Sequence, residues 1–195
     1  MTDRSVLRRD LRAMRRALPA AERIAAAEAL AQRLLALAFA PTTGNVAGYW
    51  ATDGEIALHA WQLRLPPACR YCLPVLHDDG RLRFAPWQPG ESLRNNRYGI
   101  PEPDVTEDAL LPADAMAMVV VPLAAFDRRC HRLGMGGGWY DRSFAFRHAG
   151  DAPPWLVGAG FAAQQVDMID AQPWDVRLDA VCTERAVHLC NEATA

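Results

Sequence analysis

The sequence predicts an α/β protein with a largely parallel central sheet, built as a single domain over residues 1–195. Three observations carry this. Helical and strand-like patterns alternate along the chain. Residues 115–123 (AMAMVVVPL) are continuous, apolar and β-branched, as expected of a strand buried on both faces. A glycine-rich loop at 134–138 stands between that strand and a further helical pattern. At 195 residues the chain is long enough for one sizeable core.

Asp3 caps a first helix in which Leu7, Leu11, Met14 and Leu18 recur at helical spacing, ended by Pro19. Arg4, Arg8, Arg12 and Arg15 form a second stripe on it. That stripe is either a solvated face or one from which an Arg or two folds back onto an anionic ligand. Residues 20–37 form an alanine-rich helix with Ile24, Leu30, Leu34 and Leu35 on its apolar side. Residues 45–50 read as the first strand, 51–55 as a turn and 56–65 as a helix. Residues 71–76 and 82–87 follow as strands around the turn at Asp79 and Gly80. Residues 88–103 form a long connection rich in Gly, Pro and Asn. After the buried strand and the glycine loop come a helix over 140–148, a strand over 154–161 and a last strand over 179–183. No repeat, low-complexity tract or linker interrupts the chain.

The formal net charge of −2 does not suggest a nucleic-acid partner, and no apolar run reaches a membrane span. With no signal peptide visible, the expectation is a cytoplasmic protein that acts as a monomer. All 21 basic residues are Arg. The absence of Lys excludes Schiff-base chemistry and the lysine of a Walker loop, so any cationic site is built from guanidinium groups. The odd count of Cys, at 69, 72, 130, 182 and 190, predicts reduced thiols. Cys69 and Cys72 invite a metal or redox reading, but on a strand, residues three apart face opposite sides.

Glycine fills four of the five positions 134–138. Each glycine carries an entropic penalty, so their clustering predicts close approach of backbone to a ligand. In an open α/β sheet, ligands bind beyond the carboxyl ends of the strands, and a glycine-rich backbone ahead of a helix presents N–H groups to phosphate. The dinucleotide fingerprint fails, because Trp139 stands where it needs Gly. Asp127, Asp141, Asp175 and Asp179 are the carboxylates at hand. Asp141 either caps the following helix or holds magnesium on a nucleotide. His131 beside Cys130 is a poor nucleophile pair, since adjacent residues seldom present their side chains to each other.

The stretch RLGMGGGWYDRSF, preceded by VPLAAFDRRCH, resembles the signature of the 5-formyltetrahydrofolate cyclo-ligase (5,10-methenyltetrahydrofolate synthetase) family. RSVLR near the N-terminus, DGEI after the first strand, GIPEP, and WDVRLDAV near the C-terminus occur in that family's order. The resemblance implies a three-layer fold with helices on both faces of the sheet. It also implies an enzyme that uses ATP and Mg²⁺ to convert 5-formyltetrahydrofolate to 5,10-methenyltetrahydrofolate, releasing ADP and phosphate. By position, Arg4, Arg8, Arg132, Leu133, Gly134, Met135, Gly136, Gly137, Gly138, Trp139 and Tyr140 would contact ATP. Trp50, Glu55, Tyr98 and the stretch from Met135 to Trp139 would contact the folate, and Asp141 and Asp175 the metal. Arg4, Arg8, Glu55 and Arg132 would carry the chemistry. Many members have Lys at the position of Arg4, Arg and Lys at those of Met135 and Gly137, and Tyr at that of Trp139. The loop therefore lacks two cations found in those relatives. The same scaffold would also serve a nucleotide- or folate-binding regulator without turnover.

Overall fold

The computed structural model describes residues 3–190. Helix α1 (Arg4–Ala17) begins at Asp3, whose carboxylate accepts the Ser5 N–H at 2.8 Å, and α2 (Ala20–Leu35) follows after Pro19. The chain continues through β1 (Gly44–Ala47), α3 (His59–Gln62), β2 (Cys69–Leu76) and β3 (Leu82–Pro86). Two hairpins follow, β4 (Leu93–Asn95) with β5 (Pro101–Pro103), and β7 (Ala125–Phe126) with β8 (Arg132–Leu133). Strand β6 (Met116–Pro122) lies between them. The last elements are α4 (Trp139–Ser143), β9 (Trp155–Ala159), β10 (Ala180–Cys182) and β11 (Val187–Leu189).

The central sheet has seven strands in the order β11-β10-β9-β6-β1-β2-β3. The five inner strands are parallel, and β3 and β11 pair antiparallel at the two edges. Met118 and Val120 of β6 face Leu30 and Leu34 of α2 on one side of the sheet. Val119 and Val121 face Phe126 and Phe144 on the other. The period-2 alternation of a strand thus fills two cores from one apolar run. Helix α1 closes a third, smaller core by packing Leu7 and Leu11 on Leu133, Ala125 and Ile169. The layers are α2 with α3, the sheet, and a cover made of the β7–β8 hairpin and α4. Strand order reverses between β1 and β6: from β1 the chain steps to β2, and from β6 it steps the other way to β9. Such a switch point leaves a crevice at the carboxyl ends of the two strands.

Several expectations need correction. Ile24 is 61% exposed, because Ala26, Leu30 and Leu34 set the buried face of α2. The helix expected over 56–65 shrinks to the four residues of α3, since the Tyr49 hydroxyl donates to the Ile56 carbonyl at 2.7 Å and occupies the acceptor that a helix starting there would use. The first strand runs only to Ala47, with Gly48 adding one last ladder bond to the Cys72 carbonyl at 3.1 Å, where a Cβ would lie 2.2 Å from the Tyr71 hydroxyl. The connection over 88–103 contains the β4–β5 hairpin, whose turn is held by the Asn96 side chain accepting the Tyr98 and Ile100 N–H groups. The helix over 140–148 breaks at Phe144 into α4 and a 3-10 turn, and the chain adds the edge strand β11 after the strand expected to be last. Cys130 and Cys190 lie side by side, with Cα atoms 5.9 Å apart, because β11 returns the chain to the tip of the β7–β8 hairpin. The odd count of cysteines does not reveal that proximity. Cys69 and Cys72 do face different cores.

Candidate functional site

The glycine loop leaves β8 and enters α4, with Gly136 and Gly138 at φ of +95° and +65°, a region that favours glycine. It lies against α1: the Arg8 Nε donates to the Gly134 carbonyl at 2.8 Å. A Cβ at Gly136 would sit 3.9 Å from the Arg8 guanidinium carbon. Arg4, one turn earlier, donates from Nη2 to Asp175 Oδ2 at 3.0 Å, and its Nε is buried with no acceptor among the described residues. Two of the stripe's four arginines thus fold onto the loop region. The other two do not form a solvated face either, since both reach Asp53.

Two carboxylates flank Val176. Asp141 Oδ1 accepts from Arg132 Nη2 at 2.9 Å and from the Val176 N–H at 3.1 Å. Asp175 Oδ2 accepts from Arg4 and from the Gln172 N–H at 3.0 Å. Neither shows a protein partner at its second oxygen among the described residues. Arg132 is nearly buried, donates also to the Val176 carbonyl at 3.0 Å, and so ties the loop to this segment. Asp127 and Asp179 belong elsewhere. Asp127 is fully buried and accepts the N–H groups of Arg129, His131 and Ile169. Asp179 holds Arg147 and the Leu156 N–H.

Glu55 sits in the turn after β1, with its side chain 9% exposed. Burial pushes its carboxyl above the usual range, against the pull of the Thr52 N–H and of Arg15. Arg15, fully buried, lies 3.5 Å from Glu55 Oε1, and it also bonds the Asp53 carbonyl and carboxylate and the Leu123 carbonyl. One guanidinium therefore joins the turn after β1 to the end of β6, across the switch point. Burial alone would raise Asp53, but hydrogen bonds from Arg12 and Arg16 hold it down at about 2. Tyr140, in α4, has its phenol pushed far up by burial and then by the charge of Glu55.

The remaining expected residues are spread around this centre. Leu133 is fully buried under α1, so its side chain positions the loop rather than reaching a ligand. Met135 and Tyr98 are exposed. Trp139 covers Gly137, where a Cβ would meet its Cδ1 at 2.8 Å, and its indole N–H is buried without an acceptor among the described residues. Trp50 packs edge-to-face on Trp87 at 5.8 Å rather than on the loop. Sequence reasoning missed the role of Arg15, whose signal was its place between the apolar stripe and the basic one. It also missed Arg97 and Arg142, both stacked on Trp139.

A glycine loop held by Arg8 of α1, two carboxylates each with one oxygen lacking a protein partner among the described residues, and a buried Arg15–Glu55 pair across the switch point make up the candidate site of this α/β protein. The sequence profile of the 5-formyltetrahydrofolate cyclo-ligase family matches residues 1–184, and the chain belongs to that family of enzymes. The 5-formyltetrahydrofolate cyclo-ligase of Haemophilus influenzae is 33% identical over 178 residues, covering 90% of this chain and 94% of the relative. That of Escherichia coli K12 is 33% identical over 181 residues, covering 91% and 98%. The NMR structure of Aquifex aeolicus 5,10-methenyltetrahydrofolate synthetase shares the fold, with a TM-score of 0.81 at 24% identity over 98% of this chain and 95% of that one. No helix among the described residues is long and apolar enough to cross a membrane.

Proposed function

We propose that the protein converts 5-formyltetrahydrofolate to 5,10-methenyltetrahydrofolate with cleavage of ATP to ADP and phosphate, at the centre between the glycine loop, α1 and the Glu55 turn. Membership of the cyclo-ligase family supports the reaction. The single observation that supports the site is Arg8 bonded to the glycine loop beside Arg4, whose buried Nε has no acceptor among the described residues. That donor fits a phosphate oxygen, since a buried guanidinium N–H left unmatched costs about 1–3 kcal/mol.

An N-formyl group is an amide and a poor electrophile. Its oxygen attacks the γ-phosphorus of ATP, the bond to the β-phosphate oxygen breaks, and ADP leaves. N10 then bonds to the activated carbon and sheds its proton, while the former formyl oxygen departs as part of phosphate. Phosphoryl transfer asks chiefly for positioning and charge stabilisation. Arg4, Arg8 and the loop N–H groups supply both. Glu55, in its buried turn, accepts the donor edge of the pterin. Arg132 holds the loop in register through Asp141 and Val176. The two carboxylate oxygens left without protein partners, one each on Asp141 and Asp175, suit Mg²⁺, which takes one or two carboxylates together with phosphate oxygens and water. When bound, the ion neutralises charge on the transferring phosphoryl group.

The test is direct. The product carries a conjugated methenyl bridge and absorbs at longer wavelength than the substrate. Purified protein with substrate, ATP and Mg²⁺ produces that absorbance and ADP in equal molar amounts, and omission of any component abolishes both. Binding of both ligands without product would instead establish a regulator.

A further inference from the structure

The glycine loop has two sides, and the reaction as proposed uses charge on only one. Gly134 and Gly136 face Arg8. Gly137 and Gly138 face the other way: a Cβ at Gly138 would sit 2.7 Å from Arg142 Nη1, and one at Gly137 would strike Trp139. On that second side stand two exposed guanidinium groups that have no carboxylate partner among the described residues. Arg97, in the turn between β4 and β5, lies 5.0 Å from the centroid of the Trp139 ring. Arg142, on α4, lies 5.1 Å from it, and its Nε donates to the Gly80 carbonyl at 2.7 Å. The two charges are therefore within about one Debye length of each other, close enough to repel and to draw a multivalent anion together. Tyr98 stands beside them. The nearness of the Trp139 indole and the charges of Arg97 and Arg142 hold its phenol below the ordinary range.

We propose that Arg97 and Arg142 form a carboxylate subsite that takes the glutamyl tail of the folate. This rests on the reaction proposed above and adds the end of the substrate that the reaction leaves untouched. The order of surroundings supports it. Glu55 is buried, and it meets the polar pterin edge. Exposure rises from there: Trp139 is half-buried, and Tyr98 and the two guanidinium groups that stack around these rings are exposed. Aromatic surface beside the aryl ring and exposed charge beside a flexible dicarboxylate suit the outer half of the substrate. The polyphosphate already has Arg4 and Arg8 on the opposite side of the loop. Exposed charges contribute modestly each, and two of them set a preference of about fivefold.

Calorimetric titration separates the alternatives. The wild-type protein binds 5-formyltetrahydrofolate about fivefold more tightly than 5-formyltetrahydropteroate, which lacks the glutamate, and binds a triglutamyl form more tightly still. In Arg97→Gln/Arg142→Gln the ratio between folate and pteroate falls to near one. Arg97→Lys/Arg142→Lys, which keeps both charges, retains a preference and serves as the control for folding. Added salt narrows the wild-type ratio. A Gln double variant that weakens Mg-ADP binding while keeping the folate preference overturns the proposal, because the two arginines would then replace the missing loop cations at phosphate. An unchanged ratio also overturns it and leaves them as packing for Trp139. Wild-type protein that binds neither the folate nor the pteroate would refute the underlying reaction, a result distinct from a failure of the subsite alone.

Discussion

Replacing Arg15 by Met removes the charge at the switch point while nearly preserving the length of the side chain. Arg15 has no exposed surface. Its partners fare differently on its loss. Asp53 keeps Arg12 and Arg16, and the Leu123 carbonyl keeps a hydrogen bond from Gln164 Nε2 at 2.9 Å. Glu55 keeps only Thr52 and is left as a buried carboxylate with no cation beside it. Removing one partner of a buried pair costs about 3–5 kcal/mol, and the surviving bonds place this case near 3. With a urea slope of about 2 kcal/mol per molar, the unfolding midpoint falls by about 1.5 M. The deficit depends on pH. Burial already raises the Glu55 pKa, and loss of Arg15 raises it further. A group whose pKa is raised on folding favours the folded state when protonated, so the deficit is largest above that pKa and shrinks as pH falls through it. In the Glu55→Gln background, Arg15→Met costs much less, because no charge is stranded. A midpoint shift below 0.5 M, or a shift that is the same at pH 5 and pH 8 and in both backgrounds, would refute this account (each a threshold of about one third of the expected effect or a plain null).

Three other changes probe the centre. Asp141→Asn and Asp175→Asn each raise the Mg²⁺ concentration for half-maximal activity, by about tenfold, and excess Mg²⁺ restores part of the rate; an unchanged metal requirement removes those carboxylates from the site. Arg4→Ala raises KM for ATP by about tenfold and that for the folate little, with Arg4→Lys milder, as expected for a charge-assisted hydrogen bond to phosphate; unaltered ATP kinetics would return α1 to a structural role. Gly137→Ala forces Trp139 from its place over the loop and lowers kcat/KM by about tenfold or more with little change in Tm, because the loop is exposed and bears little of the core.

The periodic parts of the fold were legible in the sequence. The apolar run of β6 and the stripes of α1 and α2 follow directly from burial on two faces or one. Short elements were not, because side chains decide them: the Tyr49 hydroxyl cuts α3 down, and the Asn96 amide builds the β4–β5 turn. The glycine loop announced itself by composition, and the family resemblance put Arg4, Arg8 and Asp175 on the list before their geometry was known. Arg15 hid within a run of six arginines between positions 4 and 16, since charge alone does not say which guanidinium turns inward. Arg97 hid because it meets Trp139 only through the hairpin, 42 residues away in the chain. The proximity of Cys130 and Cys190 was hidden for a similar reason: no spacing rule connects a hairpin tip to an edge strand.

The most direct test of the account follows the formyl oxygen. 5-Formyltetrahydrofolate labelled with ¹⁸O at that oxygen is turned over with ATP and Mg²⁺, and the inorganic phosphate is examined by mass spectrometry. Activation of the formyl group by phosphoryl transfer at the glycine loop predicts one ¹⁸O in each phosphate released. Unlabelled phosphate, formed alongside methenyltetrahydrofolate, would mean that ATP is hydrolysed by water and that the formyl oxygen leaves by another route, contradicting the role assigned to this centre.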